Sequence, residues 1–126
     1  MNILEVNKVS KHFGGIAALS EVGFTARKGE ILGIIGANGA GKTTLFSIIS
    51  GFYPPDKGTV CFQGEDITGM KPFRICRKGI VRTFQVVRPF RSMTVLRNVT
   101  VGKLFGRDQR MHQKGAEKEA GSIMEL

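Results

Sequence analysis

The sequence predicts an α/β fold, and three observations carry that prediction. In the N-terminal third, apolar residues sit two apart, as Leu4 and Val6 or Val22 and Phe24 do, which suits half-solvated strands. Residues 30–35, Glu-Ile-Leu-Gly-Ile-Ile, are apolar without alternation, as in a strand covered on both faces within a parallel sheet. Directly after them come a glycine-rich loop, Gly36 to Thr44, and apolar residues Leu45, Ile48 and Ile49 at helical spacing. The order is strand, loop, helix.

The remaining elements follow from local chemistry. Ala26-Arg27-Lys28-Gly29 reads as a turn between strands, and Gly51 as the residue closing the helix that begins near Lys42. Tyr53 to Gly58 is a turn cluster, Thr59 to Phe62 a strand, and Gln63-Gly64 a tight turn. Lys71 to Gly79 has proline in its first turn, bases in its last and glycine after it, the asymmetry of a short helix. Ile80 to Phe84 reads as a second apolar strand ending at Gln85. Thr94 can cap a weak helix with Val95, Val99, Leu104 and Phe105 as its apolar positions, and Ala116 to Leu126 is helix-like with Ala116, Ala120, Ile123 and Met124 on one side.

Chemistry concentrates in the loop. Gly36-Ala37-Asn38-Gly39-Ala40-Gly41-Lys42-Thr43 satisfies GxxxxGK[ST] at every fixed position. Glycines let the backbone curl so that successive N–H groups point inward, and the helix N-terminus adds its positive end. Lys42 can then reach β- and γ-phosphates while the Thr43 hydroxyl ligates Mg²⁺. A random match in a chain this long has odds on the order of half a per cent. Nucleoside triphosphate binding is the firm expectation.

Composition limits the alternatives. The chain has 126 residues, 41% hydrophobic and 23% charged, which fits a globular protein. Its 17 glycines show no period of three, so collagen is excluded, and no apolar run approaches the roughly 18 residues of a membrane span. Cys61 and Cys76 form no CxxC motif, and no histidines cluster, so neither a disulfide framework nor a zinc site is suggested. The net charge of +9 lies entirely after Met70, where 13 bases face four acids, and between Lys71 and Arg110 the only acid is Asp108. That stretch suits either an anionic partner or one half of a larger charge pattern. A nucleic-acid module is disfavoured, because Phe73, Phe84 and Phe90 sit at core spacing without a stacking-platform pattern.

The run IIGANGAGKTTLF, the turn cluster after it, and a strand ending in Gln85 together resemble the nucleotide-binding domain of an ABC transporter. GFYPPDKGTV (Gly51 to Val60) and GIVRTFQVVRPFRSMTVLRNV (Gly79 to Val99) are similar to the ATP-binding subunits of branched-chain amino-acid importers, and the resemblance covers Ile3 to about Gly106. It implies an N-terminal portion with an antiparallel β subdomain and an incomplete core sheet. By the same resemblance, Phe13 is the aromatic that stacks on adenine, where the family more often has tyrosine. Gly36, Ala37, Asn38, Gly39, Ala40, Gly41, Lys42, Thr43 and Thr44 would hold ATP, with Thr43 and Gln85 on Mg²⁺ and Lys42 and Gln85 serving hydrolysis. Val86 to Met93 would meet transmembrane permease subunits, with Arg88, Phe90 and Arg91 as contacts. A second ATP-binding subunit would complete a dimer, peripheral to the cytoplasmic face of the plasma membrane and without direct insertion.

The family's signature sequence, Walker B aspartate, catalytic glutamate and switch histidine have no counterpart here. His112, Asp108 and Glu117 follow no apolar strand and His12 adjoins Phe13, so none of them replaces these residues. Residues 1–126 are therefore expected to be the N-terminal part of one longer domain, binding nucleotide without hydrolysing it. Without the Walker B strand, residues 31–35 and 80–84 are expected to lack a common neighbour and to leave apolar surface uncovered. Another small P-loop enzyme is the remaining alternative.

Overall fold

The computed structural model describes residues 1–106 and 112–125, in two compact units, 1–75 and 76–126. Asp108, Arg110 and Leu126 lie outside the described residues.

The first unit is built on a four-stranded antiparallel sheet. Strands β1 (Asn2–Phe13) and β2 (Ile16–Arg27) form a long hairpin, and β3 (Lys57–Phe62) and β4 (Glu65–Asp66) form a short one around Gln63-Gly64. The strand order is β2-β1-β3-β4. The antiparallel β subdomain expected from the resemblance is present. Simple alternation does not explain its interior, however, because Val6 and Val9 are three apart and both buried. A bulge intervenes: Lys8 sits at φ 45°, and the pairing shifts between Val6↔Phe24 and Val9↔Val22. Glu21, at φ 48°, accompanies a second shift, where its N–H donates to the buried Ser10 Oγ at 2.9 Å.

Helix α1 (Lys42–Ile49) carries Leu45, Ile48 and Ile49 into the interior, which also holds Leu19, Val60, Ile67 and Ile75. Its ends are fixed by glycine. At Gly41 (φ 91°) a Cβ would collide with the Ala18 carbonyl and come within 2.8 Å of Leu19 Cδ2, so only glycine brings the helix this close to β2. Gly51 (φ 80°) closes the other end against Met70 and Ile75 in the same way. Helix α2 (Pro72–Lys78) follows, with Ile75 buried and Arg77 and Lys78 in its last turn.

Two apolar runs do not form the strands expected of them. Residues 31–35 have no strand conformation, and Ile31 and Ile35 are 99% and 98% exposed. Residues 80–84 are likewise irregular, with Val81 and Phe84 exposed. A strand requires neighbours for its N–H and C=O groups, and among the described residues none pairs with either run. The parallel core sheet is thus absent among the described residues, and the uncovered apolar surface matches the expectation.

The second unit contains α3 (Val95–Phe105) and α4 (Gln113–Met124). Thr94 caps α3 as expected, accepting from the Arg97 N–H at 3.3 Å. Ala116 and Ala120, one turn apart on α4, are fully buried, while Ile123 and Met124 are exposed, so the predicted apolar side narrows to the two alanines. Thr100 is the buried residue of α3, its hydroxyl turned back to the Leu96 carbonyl at 2.7 Å. Lys103 and Glu119 join the helices by an ion pair at 2.6 Å.

Candidate functional site

The glycine-rich loop is a cradle at the open end of α1. Residues 36–40 are exposed, and the Ala40 N–H donates to the Ala37 carbonyl at 3.2 Å, folding the loop into a turn. No side chain among the described residues caps α1 and its first turn holds no acid, which leaves the positive end of the helix open to an anion. Lys42 folds back over the loop, its ammonium donating to the carbonyls of Gly36 at 2.5 Å and Ala37 at 2.7 Å. A Cβ on Gly36 would lie 3.2 Å from Ala40 Cβ and against the Lys42 stem. Backbone donors, a helix N-terminus and the Lys42 ammonium form a donor set that fits a polyphosphate. Thr43 is exposed on the first turn and Thr44 half-buried behind it.

Phe13 stands at the tip of the β1–β2 hairpin with 42% of its surface exposed. Its ring meets Tyr53 edge-on, with centroids 5.3 Å apart and planes at 75°, and Lys11 Nζ lies over it at 5.6 Å. Sequence reasoning missed Tyr53, and it missed Asp56. The Asp56 carboxylate accepts from Lys11 Nζ at 2.8 Å and from the His12 backbone N–H at 2.7 Å, and lies 3.3 Å from His12 Nδ1. These hydrogen bonds, the Lys11 bond foremost, hold the Asp56 carboxyl down at a pKa of about 2. The available signal was the Pro54-Pro55-Asp56 turn, whose aspartate was read only as turn chemistry. Asp66 is also lowered, by hydrogen bonds from the Thr68 hydroxyl and backbone N–H, the latter at 2.8 Å.

Gln85 belongs to the second unit, on an exposed bend. Arg88, Phe90 and Arg91 follow on exposed irregular chain. Asn98 of α3 holds that segment: its Oδ1 accepts from the Phe90 N–H at 2.8 Å, and its Nδ2 donates to Phe90, Met93 and Thr94 carbonyls at 3.0 to 3.3 Å. Only the fold exposes this role. His112 begins α4, where Glu117 Oε1 accepts from Gln113. Among the described residues no three histidine, cysteine or acidic side chains cluster as metal ligands, and no helix is long and apolar enough to cross a membrane.

A family profile described as "ABC transporter" matches residues 19–125. The chain belongs to the ABC transporter family. It is 48% identical over 101 residues to the "probable branched-chain amino acid transport ATP-binding protein LivG" of Archaeoglobus fulgidus, covering 80% of this chain and 39% of that one. With BraF of Pseudomonas aeruginosa, a "high-affinity branched-chain amino acid transport ATP-binding protein", identity is 44%, covering 80% of this chain and 40% of that one. Among solved structures, an ABC transporter's ATP-binding cassette in its ADP conformation is 43% identical with a TM-score of 0.75, covering 82% of this chain and 41% of that one. The chain thus spans about 40% of the length of the curated ABC relatives it matches.

Proposed function

We propose that this chain is the nucleotide-holding N-terminal part, residues 1–126, of the ATP-binding domain of an ABC importer subunit for branched-chain amino acids. The observation that carries the nucleotide assignment is the uncapped N-terminus of α1 behind the Gly36–Gly41 loop, with Lys42 poised over it. Backbone N–H groups of residues 36–44 would hold the phosphates, Lys42 would exchange carbonyl oxygens for phosphate oxygens, and Phe13 would take the adenine face. Thr43 would hold Mg²⁺, which when bound neutralises phosphate charge. The solute assignment is supported by the names of the relatives.

In the intact subunit, two nucleotide domains would pair, and Arg88, Phe90 and Arg91 would meet permease subunits at the cytoplasmic face of the membrane. Hydrolysis requires a carboxylate set against the metal and water. The acids nearest the loop in sequence are committed elsewhere, Glu30 accepting from the Arg27 N–H at 2.7 Å and Asp56 held by Lys11. On this proposal the chain alone binds ATP without turning it over. Fluorescent-ATP titration tests the loop: Lys42→Ala should weaken binding by roughly tenfold or more, the loss of a charged hydrogen bond to phosphate. Unchanged affinity would remove the assignment, and phosphate release above that of Lys42→Ala would remove the non-hydrolysing part of it.

A further inference from the structure

We infer that Tyr53 and Asp56 are positioning residues that hold the Phe13 ring at a set distance from the phosphate loop, so that one rigid path ties the two ends of a bound nucleotide. The inference rests on the assignment of Phe13 as the base-stacking ring and deepens it.

Every step of the path lies in the first unit. The phosphate loop runs directly into α1, whose eight residues span roughly 12 Å. At the far end, the N–H groups of Phe52 and Tyr53 both turn back to the Ser47 carbonyl, at 2.8 and 3.4 Å, so Tyr53 is anchored to the helix frame. Its ring then meets Phe13. Pro54 and Pro55 fix two φ angles in succession, which carries the chain stiffly from Tyr53 to Asp56. Asp56 is sewn to the strand that carries Phe13. Its N–H donates to the Ser10 carbonyl at 2.9 Å, and its carboxylate takes Lys11 Nζ and the His12 N–H, the two residues immediately before Phe13. The loop 53–56 thereby touches β1 by ring, by backbone N–H and by carboxylate.

A nucleoside triphosphate has its base and phosphates joined through a ribose, so both ends bind together only if the protein keeps their separation. An exposed ring at a hairpin tip would not keep it unaided. A frame built from α1, two prolines and a charge-assisted hydrogen-bond cluster does. Losing the brace should weaken what depends on the base and spare what depends on phosphate alone.

The test is calorimetric titration of the chain with MgATP and, separately, with magnesium tripolyphosphate, which has no base. Phe13→Ala should weaken ATP about tenfold, and Tyr53→Leu and Asp56→Asn about two- to tenfold, with tripolyphosphate affinity held within about twofold for all three. Tyr53→Phe should restore ATP binding. Tyr53 is the only tyrosine and the chain has no tryptophan, so its near-ultraviolet circular dichroism reports the brace directly. Asp56→Asn should diminish that signal while the far-ultraviolet spectrum stays unchanged. If Phe13→Ala leaves ATP affinity unchanged, the stacking assignment fails. If Phe13→Ala weakens ATP while Tyr53→Leu and Asp56→Asn do not, positioning fails and stacking stands. Equal losses for both ligands mean a merely structural role and overturn the inference, and a parent chain that binds neither ligand refutes the phosphate site beneath it.

Discussion

Strand β1 and the run 31–35 are both rich in aliphatic residues and lie in one unit, yet Val9 is fully buried while Ile31 and Ile35 project into solvent. β1 has β2 on one edge and β3 on the other, and its Val6 and Val9 enter an interior shared with α1. The run 31–35 has no neighbouring strand among the described residues. Hydrophobicity therefore selects which residues would be buried, and strand pairing decides whether they are, because an unpaired buried backbone costs more than the side chains return.

Paired substitutions test that contrast most strongly. Val9→Asp should cost about 3–5 kcal/mol by burying an unpartnered carboxylate and should abolish cooperative thermal unfolding. Ile35→Lys should change stability by no more than about 0.5 kcal/mol. Comparable losses would mean that residues 31–35 are buried in solution. A smaller difference is expected between two glycines of the same region. Gly41→Ala meets both a left-handed φ and the Ala18 carbonyl and should cost about 2 kcal/mol or more along with nucleotide affinity. Gly33, with open space around its Cα, should accept alanine with no measurable change in melting or ATP titration.

The same contrast shows how far the sequence was legible. The phosphate loop, α1, the Gln63-Gly64 turn and the Thr94 cap were all readable, because each depends on residues adjacent in the chain. Val9 was not, since the bulge at Lys8 that turns it inward has no local signature. Residues 31–35 and 80–84 misled for the opposite reason: their pattern records a buried environment requiring neighbours absent among the described residues. At the candidate site, Lys42 and the glycines were legible from spacing, and Phe13 only through the family resemblance. Tyr53 and Asp56 escaped because their partners are 40 and 44 residues away, across a pairing that exists only after the hairpin meets the turn.

The uncovered runs should also act between molecules. Ile31, Ile35, Val81, Val86 and Val87 are exposed, each more than 70%, which invites association of apolar surface. Sedimentation should show species heavier than a 13.8 kDa monomer, with bound anilinonaphthalene sulfonate fluorescing strongly. Ile31→Lys with Ile35→Lys should reduce both. A monomeric parent chain with weak dye binding would mean that these runs are covered in solution.

The smallest effect belongs to the well-ordered side of the comparison. Asp56 has its pKa depressed from 3.8 to about 2, so its carboxylate favours the folded latch at every pH above the unfolded value. That contribution declines as pH falls below about 4 and is gone once the folded carboxyl itself protonates near 2. Because the site is open to solvent, screening keeps the effect local, and high salt should weaken it further. The near-ultraviolet dichroism of Tyr53 should therefore fall between pH 4 and pH 2 before the far-ultraviolet signal does. In Asp56→Asn the tyrosine signal should already be low at pH 7 and show no separate acid step. If the mutant keeps the parent's acid step, another carboxyl controls the turn, and the latch between Asp56 and Lys11 does not hold Tyr53 in place.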